Sequence, residues 1–238
     1  MRRVLALLAV AGLAVLAASP DAAAAPLGTV TARYTGTFTD GTIQVWGGGR
    51  TGLDTRGGIY LLDKTAGTGQ GEWIDDGTVK SFCIDLAEFT SGSAVVYDVS
   101  LVTDASIPGT GIPGGSISQA GADYLAELWA AHFEDAAASA CDAEVFSACV
   151  WEIIYEGADP QAWDVSAGSG FRCTGLCDPV KANGWLASLT GSGEKAILRA
   201  LTRLGEQDYL VEVENPVPEP ATLALVALGG LAMVRRRG

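Results

Sequence analysis

Histidine is the scarcest functional residue in this chain, with His132 the single example in 238 residues. Any Ser-His-Asp or Cys-His nucleophile must therefore use that one ring, and a multi-histidine metal centre is excluded. His132 lies four residues after Leu128 and seven after Leu125, at the edge of an apolar stripe, where packing is the expected role. Phosphate-binding loops are missing too: "GGGRTG" lacks the Gly-Lys-Ser/Thr ending that cradles a phosphate. The acidic groups at 75–76 and 134–135 lack the D-x-D-x-D-G order of a calcium loop and read as solvated faces. Cys173 and Cys177 form one Cys-x-x-x-Cys with no second pair and no neighbouring histidine, so the expected metal and cofactor complement is none.

Basic residues are also few. The chain has 15 Lys and Arg against 28 Asp and Glu, and removing residues 1–24 and 221–238 leaves 10 against 27. That surface repels nucleic acid and suits a solvated exterior or a matrix rich in polycations or Ca²⁺.

Apolar runs long enough to span a membrane comfortably are absent as well, although both ends carry shorter ones. At the N-terminus Arg2 and Arg3 precede the apolar run Val4 to Ala18, and small residues follow from Ala22 to Ala25. This is the layout of a secretory signal peptide over 1–24, with the mature chain starting near Ala25. Export in turn favours disulfides, and a local bridge between Cys173 and Cys177 is expected. Five cysteines leave at least one thiol, and Cys149 on an apolar stripe is expected to be buried.

At the C-terminus, residues 216–238 read "PVPEPATLALVALGGLAMVRRRG". The apolar stretch from Ala221 to Val234 has 14 residues, about 21 Å as a helix against a hydrocarbon core of about 30 Å. Pro218-Glu219-Pro220, a short apolar segment and Arg235, Arg236 and Arg237, in that order, resemble the PEP-CTERM sorting signal of Gram-negative bacteria. The resemblance implies that an exosortase, a membrane protease-transpeptidase, processes the tail. The apolar segment then serves as a transient inner-membrane, transmembrane-helix stop on the way to the cell surface or extracellular matrix. A tail that is cut need not span stably, and this resolves its shortness.

Between the ends, residues 25–215 form one domain. Period-two segments, "TVTARYTGTF", "GTIQVWG", "GGIYLLD", "VKSFCIDL" and "AVVYDVSLV", predict antiparallel strands up to about Val102. After the Pro/Gly-rich loop the period becomes helical. One helix begins near Ser116 or Ser118, a second carries Phe146, Cys149, Val150, Ile153 and Ile154 as one stripe, and a third starts at Asp178-Pro179. "QDYLVEVE" closes the domain as a strand. The expected fold is α+β: an antiparallel β-sheet or barrel with a helical insertion of two to three helices.

"SFCIDL" at 81–86, "AEVFSACVWEIIYE" at 143–156, "GWLASL" and "QDYLVEV" resemble the thioester-domain-like family of exported bacterial surface proteins. That resemblance implies a strand cysteine, here Cys83, facing a helix whose Phe-Gln-x-Ala-Ile-Trp-Glu motif supplies a glutamine. Thiol and amide condense into a thioester that captures amines. Ser147 stands at the glutamine position, and a hydroxyl has no acyl carbon to give, so the thioester cannot form between Cys83 and Ser147 and no internal thioester is expected. Gln119 and Gln161 lie outside the motif.

The resulting expectation is a non-enzymatic scaffold or binding module at the surface or in a biofilm or exopolysaccharide matrix. Its partners are the secretion machinery and exosortase during export, then extracellular polysaccharide or other surface proteins. The alternatives are a covalent thioester adhesin and a secreted hydrolase built on Cys83 and His132.

Overall fold

Strand alternation in the first half of the chain closes into a barrel. The computed structural model describes residues 25–105 and 115–214. The expected signal peptide, and Pro218, Glu219, Pro220, Arg235, Arg236 and Arg237, lie outside the described residues. Six strands make the barrel: β1 (Gly28–Phe38), β4 (Ile59–Gly69), β5 (Gly77–Cys83), β9 (Tyr209–Glu212), β8 (Leu198–Thr202) and β6 (Ala94–Ser100), adjacent in that order with β6 returning to β1. Every pairing is antiparallel. A second sheet holds β2 (Ile43–Gly47) between β3 (Arg50–Thr55) and β7 (Arg172–Thr174). Its hairpin turns on Gly48 and Gly49, with φ of 55° and 76°. A two-residue loop needs positive φ at both positions, which glycine adopts without Cβ strain.

Three helices follow: α1 (Gln119–Ala138), α2 (Ala140–Tyr155) and α3 (Pro179–Ser188). Ser118 caps α1, its Oγ accepting from Gly121 N at 3.1 Å. Ser139 alone separates α1 from α2 and caps the latter, accepting from Asp142 N at 3.0 Å. Asp178 accepts from Lys181 N at 2.9 Å, with Pro179 in the first turn where a missing N–H costs nothing. The expected α+β class, a barrel with a helical insertion of three helices, is the observed one.

Helix α2 is buried from Ala143 to Tyr155, as a helix that is apolar nearly all round must be. An aromatic stack ties it to the barrel. Phe82 of β5 stacks on Phe146 at 4.3 Å and meets Trp129 of α1 edge-on at 5.6 Å. Trp129 in turn stacks on Phe133 at 4.6 Å. Tyr34, Tyr60, Tyr97 and Tyr209 pack ring against ring at 5.6 to 5.9 Å in the barrel.

Three strands are not marked by alternation: β7 is too short, Gly52 interrupts β3, and β8 follows a Gly/Ser-rich turn directly. The expected bridge between Cys173 and Cys177 is corrected: Cys177 bonds Cys141, with Cα atoms 5.8 Å apart, and Cys173 is a buried free thiol. Strand β7 sets Cys173 opposite Val45, inside. The chain then turns at Gly175, and Glu144 Oε1 accepts from Cys177 N at 3.0 Å, drawing Cys177 to the first turn of α2. Cys149 is buried as expected.

Digestion without reduction should release the Cys141 and Cys177 peptides joined. Loss of this 36-residue closure through Cys177→Ser should cost about 2–4 kcal/mol in denaturant titration. A peptide joining Cys173 to Cys177 would refute the assignment.

Candidate functional site

Strand β5 ends at Cys83, and the register sets Cys83 opposite Tyr209 and Phe82 opposite Leu210. Ile84 N then donates to Asp208 O at 3.1 Å, carrying the pairing one step past the strand ends. This seam brings Gln207, the residue before Asp208, onto the cysteine. The Gln207 amide Nε2 stands 2.8 Å from Cys83 Sγ, inside ordinary nitrogen–sulfur contact. One C–N bond further on, the carboxamide carbon lies within about 4 Å of the sulfur. The thiol also donates to Asp85 O at 3.1 Å, and the Gln207 amide donates to the same carbonyl. Thiol and carboxamide thus converge on one acceptor.

Water is excluded. Cys83, Asp85, Gln207 and Asp208 are 2%, 0%, 5% and 1% exposed. The lid over them is two loops laced together: Gln207 N donates to Phe89 O at 3.2 Å, Ser91 N to Glu206 Oε2 at 3.2 Å, and Gly205 N to Glu88 Oε1 at 2.8 Å. Arg50, from β3, donates to the carbonyls of Leu86 and Ala87 and covers the Phe89 ring. From below, α2 grips the exit of β5. Trp151 Nε1 donates to Cys83 O at 3.0 Å, Tyr155 OH donates to Ile84 O at 3.2 Å, and Leu86 N donates back to Tyr155 OH at 3.0 Å. The motif "AEVFSACVWEIIYE" therefore contributes support to the cysteine strand.

The residues expected from the sequence separate. Ser147 does not pair with Cys83; its Oγ accepts from Gly58 N at 2.7 Å and donates to Gly58 O at 3.0 Å. Gln119 is exposed and bonds Asp123, and Gln161 is exposed on a loop. The glutamine that meets Cys83 is Gln207, which sequence reasoning missed. Its signal was faint: a glutamine between two acids at the head of the last strand, with nothing in the sequence to say which strand it faces. His132 stacks on Trp185 at 4.6 Å and meets Ser188 Oγ at 3.2 Å, both on α3. Burial lowers its pKa. It is a packing residue, and Cys83 has no imidazole to activate it.

Burial, then the charge of Asp85, pushes the Cys83 thiol well up, so it rests protonated. Burial likewise raises the carboxyls of Asp85 to about 6 and of Asp208 to about 8. Such a site suits neither a thiolate hydrolase nor a metal, and among the described residues no group of three or more His, Cys, Asp and Glu could hold one. What it can do is exchange an acyl group between a nitrogen and a sulfur already in contact, at a buried position where hydrolysis is slowed.

Residues 216–237 match the family model for the PEP-CTERM protein-sorting motif. The chain is an exported exosortase substrate, sorted to the cell surface or extracellular space. Comparison with curated proteins and with solved structures gives no match. No helix among the described residues is long and apolar enough to cross a membrane, and the apolar tail lies outside them.

Asp85 and Asp208, with Glu152 raised by burial to about 8, protonate more readily folded than unfolded. Their contribution to stability is complete below the unfolded value of about 4 and is lost as pH rises through 6 and 8. Glu127 and Glu156 act oppositely: against the cost of burial, backbone amides hold them low, and their contribution vanishes in acid. The melting temperature should therefore peak at about pH 5 and decline towards pH 9, and Glu152→Gln should flatten the decline. A melting temperature that rises from pH 6 to pH 9 would contradict these assignments.

Proposed function

We propose that this exosortase-sorted protein is a non-enzymatic binding module of the cell surface or extracellular matrix that attaches covalently, once per chain, through an internal thioester between Cys83 and Gln207. The observation that carries the reading is the 2.8 Å approach of the Gln207 amide to the Cys83 sulfur in a buried site. Formation joins Sγ to the Gln207 carboxamide carbon and breaks the carbon–nitrogen bond. The thiol proton leaves with the nitrogen as ammonia, with no change of oxidation state. Capture reverses the polarity: an incoming amine takes the acyl carbon, the carbon–sulfur bond breaks, and Cys83 regains its proton.

Each chain captures one nucleophile and does not turn over, so the module is an anchor and no enzyme. The likeness of "SFCIDL" and the α2 motif to thioester domains supports the same reading, with the acyl donor supplied by the loop that leads into β9 in place of the helix. An amine of another surface protein would give an amide, and a hydroxyl of an extracellular polysaccharide an ester. The excess of acidic residues favours cationic amines. The tail would hold the chain in the inner membrane until exosortase cuts near Pro218-Glu219-Pro220, which places the module where such partners are found.

Intact mass of the non-reduced protein should be short by one ammonia. Methylamine should add its own mass at Gln207, leaving the chain one CH₂ heavier than the unreacted sequence, and free one alkylatable thiol, while Cys83→Ala and Gln207→Ala should show neither the loss nor the addition. A full mass that ignores methylamine would leave a non-covalent scaffold.

Deleting residues 218–238 should release a folded domain into the medium with unchanged circular dichroism and abolish surface or matrix retention. Retention at the level of the full chain would show that the tail is not the determinant.

A further inference from the structure

The second sheet turns one face inward and the other to solvent, and its outward face carries a pattern that packing does not require. Along β2 burial alternates: Ile43 and Val45 are buried, Gln44 and Trp46 half-buried. Register gives each outward residue a neighbour on both flanking strands. Gln44 lies between Asp54 of β3 and Thr174 of β7, and Trp46 between Thr51 and Arg172. Paired residues share a face, so these side chains form two rows of three across the sheet. Thr51, Asp54 and Thr174 are exposed.

Contacts within the rows hold them in place. Gln44 Nε2 donates to Asp54 Oδ1 at 3.2 Å, and the Arg172 guanidinium lies over the Trp46 ring, 4.7 Å from its centroid. Arg172 reaches the ring from the β7 side. On the β3 side the ring is bordered by Gly52, which is left unpaired between Leu53, opposite Val45, and Thr51, opposite Trp46. Gly52 is therefore a β-bulge, with φ of 64°. A Cβ placed there would stand 3.6 Å from Trp46 Cζ2 and 3.6 Å from Gln44 Cδ. By lacking one, the glycine keeps open a shallow slot walled by the indole and ended by the Gln44 and Asp54 pair. Glycine inside a strand marks such points of close approach.

We infer that this face is a binding platform for a neutral polysaccharide, one sugar ring lying against Trp46 above Gly52. A pyranose presents a face of C–H groups and a rim of hydroxyls. The electron-rich indole face receives the C–H groups. Around it the Asp54 carboxylate accepts from hydroxyls, the Arg172 guanidinium donates to them, and the Gln44 amide does both.

Charge and composition select this occupant. Asp54 and Arg172 cancel within the platform, which matches a neutral ligand, whereas the chain's 28 acidic residues against 15 basic ones repel acidic polymers and nucleic acid. Trp46 is the one apolar side chain in the two rows, too little to supply the apolar centre of a protein interface. The platform belongs to the second sheet, holds its ligand by reversible contacts, and does not rest on the thioester reading.

The test is affinity electrophoresis of the full chain, in a neutral detergent, through native gels containing dextran, galactomannan or xylan, with alginate as the acidic control. At least one of the neutral polymers should retard the chain, and alginate should not. Trp46→Ala should weaken that retardation about tenfold or more, as loss of a central aromatic contact does. Gly52→Asn should abolish it, because asparagine accepts the left-handed backbone while its side chain fills the slot. Circular dichroism establishes that each variant is folded. Should Trp46→Ala not fold, Gly52→Asn, which leaves the ring in place, decides the matter alone. Retardation by none of the neutral polymers, or equal retardation of wild type and folded variants, would overturn the platform. A denaturing gel should return the chain to its own mass; a chain that stays on the polymer is held by covalent capture, which overturns this inference and leaves the thioester reading standing. A chain that is reversibly retarded yet never loses ammonia supports the platform and loses the thioester.

Discussion

The barrel closes along one short seam, where β5 meets β9 through the pairs Phe82 with Leu210 and Cys83 with Tyr209. Everything of chemical interest depends on that seam. It joins segments 124 positions apart and leaves the last residue of one strand and the first residues of the next side by side. Antiparallel pairing fixes which residues face one another to within a single position, because a slip of one would turn every side chain to the opposite face. That register pairs Cys83 with Tyr209 and leaves Gln207 two residues before β9, from where its side chain reaches the sulfur.

A seam of two residue pairs would be weak if left to itself. Its reinforcement comes from α2, whose Trp151 and Tyr155 bond the backbone at Cys83, Ile84 and Leu86 while Phe146 stacks on Phe82. These groups reach the strand exit because the helix is buried on all sides and cannot rotate. Its polar residues are anchored in turn: Ser147 on Gly58, Glu144 on Cys177 and Glu152 on Asp164. The disulfide from Cys141 and the cap from Ser139 secure the start of the helix. Burial of a polar side chain is tolerated at each of these points because a backbone partner satisfies it.

The exceptions gather at the seam. Asp85 Oδ2, Glu88 Oε2, Ser91 Oγ and Tyr209 OH are buried without partners, and all lie on or beside the strand ends that carry Cys83 and Gln207. Among the described residues the other two such atoms are Ser100 Oγ and Glu152 Oε2, so four of the six fall at the seam, a concentration that fits a place where stability is set against chemistry. The lid above is held by carboxylates accepting from backbone amides, contacts that can be released without disturbing the aromatic core.

Five of the six barrel strands, the three helices, their caps at Ser116 or Ser118 and at Asp178, and the sorting tail were legible in the sequence. Each is local: period-two alternation, a capping side chain, or an ordered run of residues at one end of the chain. Cys83 was legible as the site's sulfur for the same reason, within the short motif "SFCIDL". Its partner was not. Residue spacing carries no information on which strands become neighbours across a closed barrel, so the motif offered only Ser147 at the glutamine position, and the approach of Gln207 to Cys83 was not foreseen. The disulfide followed the same rule, since nearness in sequence suggested Cys173 and Cys177 while β7 turned Cys173 inward and brought Cys177 to Cys141. Local order is written in neighbouring residues, but contacts between distant ones are settled by register and burial, and these exist only once the chain has closed on itself.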